Sequence, residues 1–207
     1  MTTASERPHS IRTTTRQLEK LCEQVGACFT CSSMNHVHIL GQVNGPLNAD
    51  VLFVAEAPGR LGAARTGIPM TSDVTGRRFH AFLEDAGIDR GRVFITNSIL
   101  CNPLTTNGSN RRPAAREVAA CRDFLAAQLR LVRAPVVVAM GGVALETLRR
   151  IEPHDAVLAR DAGRAMAWAG RTLVPLYHPS IQSTMTRPDE VQREDWRRLG
   201  KLVVATT

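Results

Sequence analysis

The chain has 207 residues, 43% hydrophobic and 22% charged, with a formal net charge of +7. That length suits one domain with a sizeable core rather than two, no apolar run approaches the ~18 residues of a membrane span, and residues 1–17 lack the apolar stretch of a secretory signal. The positive charge is almost wholly arginine, with Lys20 and Lys201 the only lysines; the planar arginine fork suits phosphate oxygens, so a nucleic-acid partner is expected.

Residues 1–207 read as a single domain whose first 12 residues, rich in Ser, Thr and Arg, form a flexible tail. A helical stretch then puts Leu18, Leu21 and Cys22 on one apolar face, ahead of Cys28-x-x-Cys31. Four segments read as strands: Val51–Val54, Val93–Thr96, Val136–Ala139 and Leu173–Tyr177. Each is a short continuous apolar run, as expected of strands covered on both faces. Pro175 within the last one implies an edge position or an irregular strand. Helical patterns fill the intervals. Thr75 to Ala86 places Phe79, Phe82 and Leu83 on one face and ends at Gly87; Ala114 to Val132 is the longest; Gly142 to Arg150 and Glu190 to Val204 complete the set. Strand–helix alternation predicts a three-layer α/β/α sandwich around a central, mainly parallel four-stranded sheet.

The cysteine count is odd and no export signal is seen, which points to a reducing, cytoplasmic compartment and to metal-type use of the thiols. Cys28 and Cys31 form a close pair, whereas Cys101 and Cys121 stand far downstream. Such a set can converge on one four-thiolate centre, and spacing alone does not choose between an iron–sulfur cluster and zinc. Cys22 reads as core, with replacement of Cys28 as a ligand the alternative. Three motifs carry polar residues to the carboxyl ends of three strands, where sites collect in open α/β sheets. They are Ala55-Glu56-Ala57-Pro58-Gly59, Ile95-Thr96-Asn97 and Tyr177-His178-Pro179-Ser180.

Together these motifs resemble the uracil-DNA glycosylase superfamily, and within it the iron–sulfur families 4 and 5. The first motif resembles both the Gly-Glu-x-Pro-Gly of family 4 and the Gly-Leu-Ala-Pro-Gly of family 5. The stretch Arg65-Thr66-Gly67-Ile68-Pro69-Met70-Thr71-Ser72-Asp73-Val74-Thr75-Gly76 resembles a family 5 motif, as does His178-Pro179-Ser180-Ile181-Gln182 with its downstream threonines. The likeness runs from Cys28 to Thr186. It implies a DNA-repair enzyme, nucleoid-associated, with a [4Fe–4S] cluster on Cys28, Cys31, Cys101 and Cys121, and zinc as the lesser alternative. Two departures stand out: Met70 replaces a base-stacking phenylalanine, and Asn97 follows family 4. Loop 105–113 carries Arg111 and Arg112 but lacks the histidine by which another branch captures uracil covalently.

The resemblance also implies roles. His178 is the donor to the uracil carbonyl where negative charge develops. Asp73 is the candidate to orient water and stabilise the sugar cation, with Glu56 as the other candidate. Asn97 reads the base edge through one acceptor and one donor, and Ala57 and Gly59 offer backbone N–H groups. Met70 is either base platform or core. Asp73 can also cap the helix that follows it, and Glu56 can simply pair with Arg60. Ser180 begins a DNA-binding segment in which Ile181, Gln182 and Met185 are candidates to fill the vacated stack and Arg187 to hold a phosphate; the other reading of Ser180 to Met185 is a plain connection to the last helix. The competing functions are a catalytically inactive iron–sulfur or zinc DNA-binding protein of the same fold, and a metal-dependent nucleotide hydrolase using Asp73 and Glu56.

Overall fold

Alternation of Val- and Ile-rich runs with amphipathic helices produces a sheet covered on both sides in the computed structural model, which describes residues 8–206. Residues 1–7 of the expected flexible tail lie outside the described residues. From Pro8 the chain is already helical, as α1 (Pro8–Gly26). There follow β1 (Met34–Asn35), β2 (Val51–Ala55), α2 (Ala63–Thr66), α3 (Val74–Ala86), β3 (Val93–Asn97) and β4 (Asn102–Pro103). The second half contains α4 (Ala115–Leu131), β5 (Val136–Met140), α5 (Gly142–Ile151), α6 (Leu158–Asp161), β6 (Met166–Trp168), β7 (Arg171–Leu176) and α7 (Asp189–Thr206).

The main sheet has the order β3-β2-β5-β7-β6. Its first four strands are parallel, and β6 runs antiparallel to β7. Alternate residues of each strand go to opposite layers. Phe53, Ile95, Val138 and Val174 meet Phe79 and Phe82 of α3 and Trp196 of α7, where Phe53 stacks on Trp196 with ring centroids 5.3 Å apart. Leu52, Phe94, Val137 and Leu173 face Leu125 and Leu129 of α4 and Leu145 and Leu148 of α5. With apolar cover on both faces, the strands have no polar side to alternate, hence the continuous runs in the sequence. Helix α1 packs outside α4 through Leu21 and Val25.

The expected four-stranded sheet thus has a fifth strand, β6. It is three residues long and joined to β7 by Ala169-Gly170, both at positive φ (49° and 71°). A two-residue hairpin of this kind normally announces itself as Asn-Gly or Asp-Gly; alanine in the first place hides it. Pro175 does not sit on an edge strand, because β7 lies between β5 and β6. Its carbonyl accepts from Gly163 N–H at 2.9 Å, so its missing N–H points away from β5, past the end of β6, and no ladder bond is lost.

Strand β2 has β3 on one side and β5 on the other, so the chain reverses direction across the sheet there. That switch point is where an open α/β sheet leaves a crevice beyond its strand ends.

Candidate active site

A cleft of about 580 Å³ opens at this crevice. Glu56, Ala57 and Gly59 reach it from the end of β2, Asn97 from the end of β3, and His178, Ser180, Ile181 and Gln182 from the segment after β7; Met70 and Asp73 come from the loop before α3. The strand ends are tied together by Ser98 N–H to Ala55 O (2.8 Å) and Ile99 N–H to Glu56 O (3.2 Å).

The loop before α3 is built by its own side chains. Thr66 Oγ1 bridges to the Gly62 carbonyl and to Thr71 Oγ1, and Ser72 Oγ donates to Leu61 O at 3.0 Å. This folding places Met70 at a positive φ of 53°. It leaves no room beside it: a methyl group added to Gly76 would stand 2.8 Å from the Met70 carbonyl. Met70 both lines the cleft and packs against the core.

Asp73 caps α3, with Oδ1 accepting from Gly76 N–H at 2.7 Å. Oδ2 lies against Gly62, where a methyl group would approach to 2.6 Å, and near Gly59. Glycine at 62 keeps that oxygen uncovered. Burial pushes the Glu56 carboxyl above its usual range, with Arg112 pulling the other way. Glu56 makes no ion pair with Arg60 or any other arginine among the described residues. Asn97 is 5% exposed at the cleft floor. Burial lowers His178 to about 4 despite the nearby Asp73, so the imidazole is neutral at physiological pH, a donor through one nitrogen only.

The segment after His178 forms a 3₁₀ turn, Ile181–Met185, fastened by Ser183 Oγ to Ser180 O (2.7 Å) and by Gln192 Nε2 to Arg187 O (2.7 Å). Ile181 and Met185 are 53% and 91% exposed. Met185 and Arg187 are not in the cleft wall. The expectation that Arg187 holds a phosphate meets a competing partner: its guanidinium is paired with buried Asp195 of α7 (2.7 Å) and lies over the Tyr177 ring.

Behind this wall the thiols of Cys28, Cys31, Cys101 and Cys121 border one small cavity with Met34, Ile99 and Ala120. Cys22 lies outside it, on α1. Burial pushes Cys101 up to about 11, and Cys121, Cys28 and Cys31 add to the rise. Cys31 and Cys121 are raised too, again first by burial. Four thiols gathered on one small cavity form a donor set that suits a cationic, sulfur-loving centre.

The profile of the Uracil DNA glycosylase superfamily matches residues 43–200. The chain belongs to the uracil-DNA glycosylase superfamily. A type-4 uracil-DNA glycosylase of Thermotoga maritima is 30% identical over 179 residues, 85% of this chain and 88% of its own. A type-4 enzyme of Archaeoglobus fulgidus is 27% identical over 194 residues, covering 89% and 92%. A type-5 uracil-DNA glycosylase of Pyrobaculum aerophilum is 30% identical over 149 residues, 66% and 63%. Likeness to both types agrees with the mixed motifs.

Within this glycosylase fold, several residues have no signal in the sequence. Asn102 Nδ2 donates to Pro58 O (2.8 Å) and to Asn110 Oδ1 (3.0 Å), and Asn110 Oδ1 also accepts from Arg60 N–H (3.0 Å). These two asparagines hold the first motif in place. Asn102 sits in β4, whose pairing with β1 lays the cysteine segment beside the cleft. His36 borders the thiol cavity, Nδ1 at 3.7 Å from Cys101 Sγ. Only the C-x-x-C spacing could have drawn attention to that region.

Proposed function

We propose that this protein is a monofunctional uracil-DNA glycosylase. It hydrolyses the N-glycosidic bond of uracil in DNA, and of other deaminated bases that fit, leaving an abasic site, with residues 1–207 acting as one domain. The observation that carries this reading is the convergence of Asp73, Glu56, Asn97 and His178 on one cleft at the switch point of a chain of this superfamily.

The base must leave the helix to reach that cleft. Ile181, Gln182 and Met185, exposed on a fastened turn at its rim, fill the vacated stack, with Ser180 at the entrance. Asn97 offers one acceptor and one donor to the base edge, which favours a carbonyl over an amino group. Met70 gives the base an apolar wall. As the glycosidic bond breaks, electrons move onto the base, and the sugar gains positive charge. His178 donates its N–H to the developing carbonyl oxyanion; a neutral imidazole is enough, because hydrogen bonding in a desolvated site is the useful term. N–H groups of Ala57 and Gly59 support the same charge. Asp73 Oδ2, an anion on a rigid helix tip, orients the water and faces the cationic sugar. Water supplies hydroxide to C1′ and its proton goes to the departing base. Neither lysine lines the cleft, so no lysine amine is at hand for a Schiff base and the strand stays whole.

Cys28, Cys31, Cys101 and Cys121 would hold a [4Fe–4S] cluster, with zinc the alternative for the same donors. When bound, the group would cross-link the segment after α1 to the residue before β4 and to α4. DNA is the partner, and the chromosome's compartment, the cytoplasm, the place of work.

Single-stranded uracil-containing DNA tests the reading. It should remain intact after incubation and break at the uracil on alkali treatment. DNA binding without uracil release would favour the inactive DNA-binding protein instead. Anaerobically purified protein should be brown and contain iron; stoichiometric zinc without iron would reassign the centre.

A further inference from the structure

We infer that Arg78 is a positioning residue for His178, so that α3 fixes both sides of the reacting centre. This rests on the glycosylase reading above. Arg78 Nε donates to the carbonyl of Pro179, the residue after His178, at 3.1 Å. Among the described residues it is the one side chain that bonds the backbone of 177–179, a stretch otherwise anchored by Gly141 N–H to Leu176 O before it and by the 3₁₀ turn after it. The guanidinium is itself held. Nη1 pairs with Asp189 at 2.6 Å and the group lies over Phe82, 5.0 Å from the ring centre. Asp189 in turn pairs with Arg193.

Packing alone does not call for a guanidinium here. Nη2 is buried without a partner among the described residues, a cost that an unbranched apolar side chain over Phe82 would avoid. What a guanidinium adds is a fixed fork linking α7, α3 and the His178 turn. The tip of that same helix carries Asp73, and Phe79 and Phe82 fasten the helix to the core. The donor to the base and the anion for the water therefore share one rigid frame, although about a hundred residues separate them in the chain.

Arg78→Lys is the test. An ammonium can still pair with Asp189 but cannot also reach Pro179 O in the same geometry. Expected are a melting temperature close to wild type, a roughly 10- to 100-fold slower single-turnover cleavage, and no further slowing when the change is added to His178→Ala. In NMR spectra, the imidazole signals of His178, assigned by their loss in His178→Ala, should move in Arg78→Lys. Cleavage at the wild-type rate, or equal slowing in both backgrounds, overturns the proposal. If Arg78→Lys melts too early, Arg78→Met, which keeps the Phe82 contact, is measured below its melting point by the same comparison. A wild-type protein that releases no uracil while the His178 signals still move would sink the glycosylase reading and leave the positioning intact.

Discussion

Asp73 has two oxygens in two environments, and substitutions can separate them. Oδ1 caps α3 and Oδ2 lies bare beside Gly62. Asparagine is also a good cap, so Asp73→Asn should melt near wild type while losing on the order of 10²-fold or more in single-turnover cleavage. Asp73→Ala should lose the same rate and about 1 kcal/mol of stability besides. If Asp73→Asn cleaves normally, the carboxylate is only a cap. Glu56 is the control: pushed toward neutrality by burial and unpaired, it should tolerate Glu56→Gln with a small effect, whereas a large one would move the water to Glu56. His178 carries a pH prediction. Its folded-state value of about 4 lies below the ordinary 6.5, so between those values the unfolded chain binds more protons than the folded one. Stability is then complete above 6.5 and falls as pH drops toward 4. Melting curves of His178→Ala across that window should show a smaller acid-side loss than wild type. The cleavage rate should show no step near pH 6.5 from this histidine, since it stays neutral throughout.

At the scale of elements, the segment from β4 to α4 joins the thiol cavity to the cleft. Arg111 lines the cleft and grips Glu117 through both nitrogens (2.8 and 2.6 Å); Glu117 borders the thiol cavity and accepts from Ala114 N–H at the start of α4. The Arg111 pairing, more than any other influence, holds the Glu117 carboxyl below its usual range. Arg111→Met would leave a buried carboxylate unpaired, a loss of roughly 3 kcal/mol, or about 6–12 °C in melting temperature. An unchanged melting temperature would show that the pair is idle. The sequence makes plain what is long and buried: β2, β3, β5 and β7 run within a residue or two of the expected limits, as do α3, α4, α5 and α7. It hides what is short. β1 and β4 are two residues each, too brief for any period, yet their pairing brings Asn102 to the first motif. Side chains acting through a neighbour's backbone, as Asn110 and Arg78 do, leave no pattern either, because their partners are 50 and 101 residues away. Of the residues gathered in the cleft, Glu56, Asn97 and His178 were legible because they follow strand ends, and strand ends follow apolar runs; Met70 and Asp73 come from the loop before α3 and were signalled by the resemblance alone.

Over the whole molecule, the number of arginines overstates the free positive charge that DNA meets. Arg78, Arg92, Arg111, Arg149, Arg187 and Arg193 all pair their guanidinium groups with carboxylates of the same chain. Basicity read from composition therefore merges two populations, one that braces the fold and one that faces phosphate. Arg60, on the cleft wall, and exposed Arg112, close enough to act on the Glu56 carboxyl, make no ion pair among the described residues. Each phosphate neutralised releases counterions, so binding to single-stranded DNA weakens with salt by about 0.7 log units per contact per tenfold change. Arg60→Gln and Arg112→Gln should each reduce that slope by about 0.7, with melting unchanged. Arg187→Gln should do the reverse: its partner Asp195 is 1% exposed, so the fold loses stability, while the salt slope stays at the wild-type value. Equilibrium binding to a uracil-containing strand, titrated over a range of salt with the slow-cleaving His178→Ala protein as the common background and read before cleavage sets in, measures all three. A lowered slope for Arg187→Gln would return that arginine to the DNA surface. Unchanged slopes for Arg60→Gln and Arg112→Gln would place the DNA path elsewhere on the molecule.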